Sequence, residues 1–340
     1  TPVPLRRAAC ALCVHRAPSW DFLREVLFSK LTSDSVFTKL TLKQYGTNRR
    51  DRRLVRGDYK VTDARANAVH AGPAGYNPVR LSDGTTLFVA VRGTGPALLL
   101  VHGWAAHGGF FDSLADALES RFTLVIPDLR GHGRTPSGEA PLTIDQLADD
   151  LNEMLSLLDL QNVLALGWSM GAMVLWTLIA RHGASRLAGL ITEDMSPRIL
   201  NDEAWTLGML TGLDQAASTQ IETAMRQNWP AYAAAFAPRM FARPLNGTQP
   251  DALEWAARDL ANNSGAAMAD FWESMAAKDC RDGLAAISVP ALVTYGERSQ
   301  VYGPQTSQFI ANTIPDARAL GFARSGHAPH IEETEAFARA

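Results

Sequence analysis

Residues 163–181 read VLALGWSMGAMVLWTLIAR, and this stretch decides the fold. Val163–Leu166 is a short apolar run typical of a buried strand, and Met170–Arg181 is an apolar segment of helical length. Between them, residues 167–171 (GWSMG) fit the pattern G-x-S-x-G. A sharp strand-to-helix turn lifts its central serine above the edge of a sheet, and small residues two positions away prevent clashes. The stretch therefore predicts a strand, a tight turn that presents Ser169, and a helix.

Strands and helices alternate on both sides of this stretch. Each predicted strand is a short apolar run, and each predicted helix repeats its apolar residues at helical spacing. Such an alternation predicts an α/β fold with a mostly parallel, doubly wound sheet. The further segments are a hairpin at Val79–Val91, strands at Ala97–Val101, Phe122–Pro127, Leu187–Thr192, Val289–Tyr295 and Ala317–Phe322, and helices at Phe110–Leu118, Thr143–Leu158 (with Thr143 as N-cap) and Gln305–Ile314.

The alternation is interrupted over residues 198–285. This segment holds four of the eight tryptophans and five of the nine methionines, in long Ala-rich stretches without a run typical of a buried strand. We therefore expect a helical cap inserted between two strands of one sheet. The predicted domains are a basic N-terminal extension (1–77), an α/β core (78–197 and 286–340) and the helical cap (198–285).

Composition excludes several classes of protein. The 340 residues are 46% hydrophobic and carry a net charge of −3, which removes the electrostatic argument for a dedicated nucleic-acid binder. Three cysteines make no disulfide framework, and no apolar run approaches the length of a membrane span. Residues 1–77 carry 14 basic and 6 acidic side chains, which favours a poorly ordered extension over a targeting arm. Without the pattern of a secretory signal, we expect a cytoplasmic protein.

Two loops supply partners for Ser169. His327 follows the last predicted strand in the sequence Ser-Gly-His, and imidazole is suited to act as the base that activates a serine. Residues 102–104 (HGW) follow the strand Ala97–Val101, where the backbone N–H of Trp104 would lie opposite that of Met170. Two such donors would hold a tetrahedral oxyanion. We interpret the remaining histidines of the predicted loops, His102, His132 and His330, as structural.

Together these motifs resemble the α/β-hydrolase superfamily over about residues 78–340. The HGW and GWSMG motifs are similar to those of carboxylesterases, lactonases and cofactor-free haloperoxidases. The resemblance implies Ser169 as nucleophile, His327 as base and the N–H groups of Trp104 and Met170 as the oxyanion hole. It rests on four segments in order, 102–104 (HGW), 128–134 (DLRGHGR), 167–171 (GWSMG) and 325–327 (SGH).

The acid of the expected triad departs from the family pattern. The usual acid follows the strand Val289–Tyr295, three residues past a glycine, and that position is Ser299, which carries no charge. Some members of the superfamily carry the acid at the end of the preceding strand, where this chain has Asp194. Glu297, two residues before the usual position, is the alternative. A carboxylate in either place would fix the imidazole tautomer and stabilise the imidazolium.

The sequence thus predicts a serine hydrolase that cleaves carboxylic esters through an acyl-enzyme, without a metal or organic cofactor. The expected partner is a small-molecule ester or lactone, and the oligomeric state is not determined. Three alternatives stay open: a lactonase (including acyl-homoserine lactones), a cofactor-free haloperoxidase or perhydrolase, and a hydrolase-fold receptor with little turnover. Aromatic side chains and several methionines of the cap suggest an apolar acyl or aryl pocket, although we expect most of them to build the cap's own core. These aromatic residues are Trp205, Trp229, Trp255, Phe271 and Trp272.

Overall fold

The computed structural model of the chain describes residues 75–243 and 250–340. The expected basic extension, residues 1–77, lies almost entirely outside the described residues, as do Cys10 and Cys13. The division of the chain into extension, core and cap stays a prediction. Within the described residues the strands are β1 (Tyr76–Arg80), β2 (Thr86–Gly93), β3 (Ala97–Val101), β4 (Thr123–Asp128), β5 (Val163–Trp168), β6 (Leu187–Glu193), β7 (Ala291–Gly296) and β8 (Ala317–Phe322).

These strands form one sheet in the order β1-β2-β4-β3-β5-β6-β7-β8. β1 and β2 pair as the expected antiparallel hairpin, and β2 pairs antiparallel with β4. All pairs from β4 to β8 are parallel. The predicted fold class, a mostly parallel α/β sheet, is confirmed. Because parallel strands end at one edge, the loops after β3, β5, β6, β7 and β8 meet there.

The described helices are α1 (Asp112–Leu118), α2 (Ile144–Leu157), α3 (Met170–His182), α4 (Gln215–Gln227), α5 (Trp229–Phe236), α6 (Pro250–Ala261), α7 (Gly265–Ala277), α8 (Arg281–Leu284), α9 (Pro304–Thr313), α10 (Pro329–Glu332) and α11 (Thr334–Arg339). Thr143 caps α2 as expected, because its hydroxyl accepts the Gln146 N–H at 3.1 Å. Every residue of α3 from Met170 to Ile179 is buried, so this helix lies in the core. Over the described ranges, no helix has the length and apolarity that crossing a membrane requires.

The chain between β6 and β7 contains α4 to α8 and a 3-10 turn at Ala237–Met240. Side chains at the starts of three of these helices accept a backbone N–H three residues on, which explains where the helices begin. The pairs are Asp214 with Ala217 (2.8 Å), Asn228 with Ala231 (3.2 Å) and Ser264 with Ala267 (3.4 Å). The helical character expected of this segment is therefore observed. We refer to residues 198–285 as the insertion.

Candidate active site

Ser169 lies between β5 and α3 in a strained backbone conformation. Its φ of 52° and ψ of −123° are rare for a residue with a side chain, and its N–H donates to the Glu193 carbonyl at 2.8 Å. A Cβ atom on Gly167 would overlap the backbone of Gly171, and one on Gly171 would overlap the Val101 carbonyl oxygen. The turn that presents Ser169 is thus sterically dependent on both glycines of the motif.

His327 is held in one orientation by three contacts. Its Nδ1–H donates to Asp194 Oδ2 at 2.6 Å, and both side chains belong to residues only 2% exposed. Its backbone N–H donates to the Met240 carbonyl at 3.0 Å, and its carbonyl accepts the Trp168 indole N–H at 2.8 Å. Because Nδ1 is bonded to the carboxylate, Nε2 is the ring nitrogen left for chemistry.

Asp194 follows β6 directly, and Ser299 lies in the loop after the neighbouring strand β7. The Ser299 hydroxyl donates to Asp194 Oδ2 at 2.6 Å, so this oxygen accepts hydrogen bonds from both Ser299 and His327. Asp194 has a φ of 45°, and its N–H donates to the Thr294 carbonyl at 2.9 Å. Aspartate tolerates this left-handed conformation better than most residues. Ser299, which occupies the usual acid position, therefore contacts the carboxylate of Asp194, which occupies the alternative position.

Glu297, the other candidate acid, is placed differently. Its side chain is exposed, and its Oε1 lies beside Gly321, where an added Cβ would be 3.0 Å from this oxygen. Its backbone N–H donates to the Phe322 carbonyl at 3.0 Å. The structure brings Asp194, and not Glu297, to the imidazole of His327.

The two expected oxyanion donors lie on the residue after Ser169 and on the loop after β3 that approaches Ser169. Within residues 75–243 and 250–340, neither the Trp104 N–H nor the Met170 N–H donates a hydrogen bond to the protein. Met170 is the first residue of α3, whose first N–H groups have no partner inside the helix and carry its positive dipole end. Gly103 lets the loop after β3 approach closely, since an added Cβ would be 3.2 Å from the Ser169 Cβ. Both N–H groups are free to bind an anionic oxygen.

A small pocket of about 30 Å³ opens on Ser169 and His327. None of the described residues that line it is an aspartate, glutamate, lysine or arginine. The insertion supplies much of its apolar wall, through Ile199, Met209, Phe236, Met240, Trp272 and Met275.

Most of the aromatic residues of the insertion lie outside this wall, in agreement with the expectation that most of them build the core of the cap. Of the five aromatic residues expected in the cap, Trp272 lines the pocket and the other four do not. Trp229 instead packs edge-to-face on Trp104, and Trp255 packs on Phe110. These side chains build the interior of the insertion and its contact with the sheet. Sequence periodicity carries no signal that separates a side chain that lines the pocket from one that builds the interior of the insertion.

The other histidines of this edge are deeply buried. His102 Nε2 accepts the Leu129 N–H at 3.0 Å, and burial lowers its pKa to about 3. Burial likewise lowers the pKa of His132 to about 3, so both rings are neutral. His330 Nδ1 donates to the Glu193 carboxylate at 2.9 Å. Among the described residues, no three His, Cys, Asp or Glu side chains are grouped as metal ligands.

Comparison with known proteins agrees with this geometry. The family model for the alpha/beta hydrolase fold matches residues 96–334. A pimeloyl-[acyl-carrier protein] methyl ester esterase of Chromobacterium violaceum is 28% identical over 254 residues, which cover 75% of this chain and 96% of that protein.

Solved structures match over a similar length. An esterase from Exiguobacterium antarcticum has a TM-score of 0.72 at 24% identity, covering 77% of this chain and 96% of its own. An enol-lactonase from Burkholderia xenovorans LB400 has a TM-score of 0.68 at 25% identity, covering 77% of this chain and 96% of its own. The first of these likenesses bears on the fold alone.

Proposed function

The chain belongs to the α/β-hydrolase fold family, and from this premise we propose that it is a carboxylic ester hydrolase with Ser169 as its nucleophile. One observation carries the proposal. The strained Ser169 and the His327–Asp194 pair come from three separate loops, yet Ser169 and His327 open into one apolar pocket. A nucleophile and a base oriented by a carboxylate are the parts that acyl transfer requires.

In the proposed reaction, His327 Nε2 removes the hydroxyl proton as Ser169 Oγ attacks the ester carbonyl. The N–H groups of Trp104 and Met170 bind the tetrahedral oxyanion, each lowering the barrier by about 3 kcal/mol. Asp194 stabilises the imidazolium that has formed. The imidazolium then protonates the leaving alcohol, and the acyl group stays on Ser169. Water, deprotonated by the same imidazole, releases the acid and restores the serine.

The apolar wall of the pocket supports a neutral substrate with an apolar acyl or aryl group, because an unpaired charge would be desolvated there. The pimeloyl-[acyl-carrier protein] methyl ester esterase is named for a methyl ester, which is a carboxylic ester. A lactone is the second candidate substrate, since it is a cyclic ester and the enol-lactonase structure is similar. The same residues would open the ring.

The test is a p-nitrophenyl ester series from acetate to palmitate, run on the wild type and on Ser169→Ala, with mass spectrometry of the intact protein. We expect turnover that the substitution reduces by roughly 10³-fold or more. The preferred chain length measures the depth of the pocket. Unchanged hydrolysis by Ser169→Ala would rule out the mechanism. A stable acyl adduct on the wild type without turnover would instead favour the receptor alternative.

A further inference from the structure

Tyr302 differs from every other polar side chain in the pocket wall. The indole N–H groups of Trp104, Trp168 and Trp272 all donate to protein oxygens, at 3.0, 2.8 and 3.0 Å. The hydroxyl of Tyr302 donates to none of the residues that the structure describes, although Tyr302 lines the pocket. Apart from Ser169 and the imidazole, it is the unused hydrogen-bonding side chain of an otherwise apolar wall.

The position of Tyr302 is fixed by its own loop. Its N–H donates to the Ser299 hydroxyl oxygen at 3.3 Å, and its ring centroid lies 5.8 Å from that of His327. The residue is only 4% exposed. Burial, with the Asp194 charge nearby, raises the pKa of the phenol well above its usual range. The hydroxyl therefore keeps its proton and acts as a donor beside the reacting groups.

Water in the pocket can satisfy the Tyr302 hydroxyl, and a bound substrate that displaces this water without replacing its hydrogen bond loses affinity. A purely hydrocarbon substrate would leave the hydroxyl unpaired, whereas a substrate with a correctly placed oxygen would satisfy it. Sites of this kind discriminate strongly against analogues that lack the polar atom.

We propose that the Tyr302 hydroxyl is a specificity-determining donor that binds a second oxygen acceptor of the substrate, separate from the ester carbonyl. The substrate class is then a neutral ester or lactone that also carries an ether, keto or hydroxyl oxygen near the scissile bond. The inference rests on the proposed function, because it concerns the same pocket.

Two pairs of isosteric esters test this inference. On the acyl side, p-nitrophenyl methoxyacetate is compared with p-nitrophenyl butyrate; on the alcohol side, 2-methoxyethyl butyrate is compared with butyl butyrate. Each pair exchanges one methylene for an ether oxygen. The ratio of kcat/KM within a pair is measured for the wild type and for Tyr302→Phe, so that intrinsic reactivity cancels between the two proteins. We expect Tyr302→Phe to lower this ratio by about threefold to tenfold in at least one pair.

Tyr232→Phe is the matched control, because Tyr232 packs on Trp104 and Trp229 and does not line the pocket. Its ratios should equal those of the wild type. Unchanged ratios for Tyr302→Phe in both pairs, or equal losses on both members of each pair, would overturn the inference while leaving ester hydrolysis in place. Hydrolysis that persists in Ser169→Ala would overturn the proposed function instead.

Discussion

Asp194 Oδ2 accepts two short hydrogen bonds, and the residues that donate them lie on different loops. For the triad acid, the informative comparison is Asp194→Asn against Glu297→Gln. Asparagine also tolerates the positive φ at position 194 but presents an amide to His327, which selects the wrong tautomer. We expect Asp194→Asn to lower kcat by roughly 10⁴-fold, and Glu297→Gln to stay within about twofold of the wild type. Steady-state kinetics on one p-nitrophenyl ester measures both, and equal losses would contradict the assignment.

Ser299 offers a second prediction at this scale. Removing its hydroxyl leaves the Asp194 carboxylate with one fewer donor and one fewer positional restraint. Ser299→Ala should lower kcat by about tenfold with little change in KM, because a hydrogen bond to a charged group is stronger than a neutral one. Ser299→Thr keeps the hydroxyl and should recover most of the loss. A loss in KM alone, or none in either variant, would show that Ser299 does not position the carboxylate.

At the scale of elements, the close crossing of α3 over β3 depends on Gly171. A Cβ at this position would overlap the Val101 carbonyl oxygen, which is backbone and does not rotate away. We expect Gly171→Ala to lower the free energy of unfolding by about 3 kcal/mol. Urea denaturation measures this change.

Gly283→Ala is the control for that experiment. This glycine lies in α8, where an added Cβ would meet only the Ala180 Cβ at an ordinary 4.0 Å. Alanine is the better helix former, so this variant should be as stable as the wild type or more so. Similar destabilisation of the two variants would refute the steric explanation.

The core elements could be predicted from sequence because each is coded locally. β8 has the predicted bounds, Ala317–Phe322, and Thr143 caps α2 as its position before the apolar repeat indicated. The nucleophile turn is equally local, since its glycines and serine are five consecutive residues. That the loops after the parallel strands meet at one sheet edge follows from parallel pairing.

The pocket wall and the acid could not be predicted with the same certainty. Which insertion side chains face Ser169 depends on how the helices pack, so neither Trp272 nor Met209 could be singled out as part of the wall. The choice between Asp194 and Glu297 likewise depends on the distance between two loops. Only the three-dimensional neighbourhood of β6 and β7 brings Asp194 to the imidazole.

At the scale of the whole molecule, Glu332 joins the insertion to the loop that carries the base. Its carboxylate accepts the Ala242 N–H at 2.7 Å and the Gly326 N–H at 2.6 Å, beside the hydrogen bond from His327 to Met240. Burial raises the pKa of Glu332 from 4.5 to about 7 in spite of these donors. The charge state of Glu332 is therefore coupled to the stability of the contact between the insertion and the loop that carries His327.

The sign of this coupling follows from the raised pKa. Between about pH 4.5 and about pH 7, the folded protein keeps the Glu332 proton, whereas the unfolded chain releases it. The free energy of unfolding therefore falls as pH rises through that range. Glu332→Gln does not titrate there. The Tm of the wild type minus that of Glu332→Gln should fall between about pH 5 and about pH 8. Thermal unfolding of both proteins across that range checks it, and a constant or rising difference would contradict the prediction.

The meeting of positions 194 and 299 at one carboxylate oxygen has an evolutionary consequence. Since Ser299 reaches the Asp194 carboxylate from the end of the neighbouring strand β7, a carboxyl group at position 299 would lie beside the same oxygen and close to the imidazole. A lineage could then transfer the acid between the two strands through an ancestor that holds both carboxyl groups, without passing through a form that has none. Two single substitutions would complete that transfer.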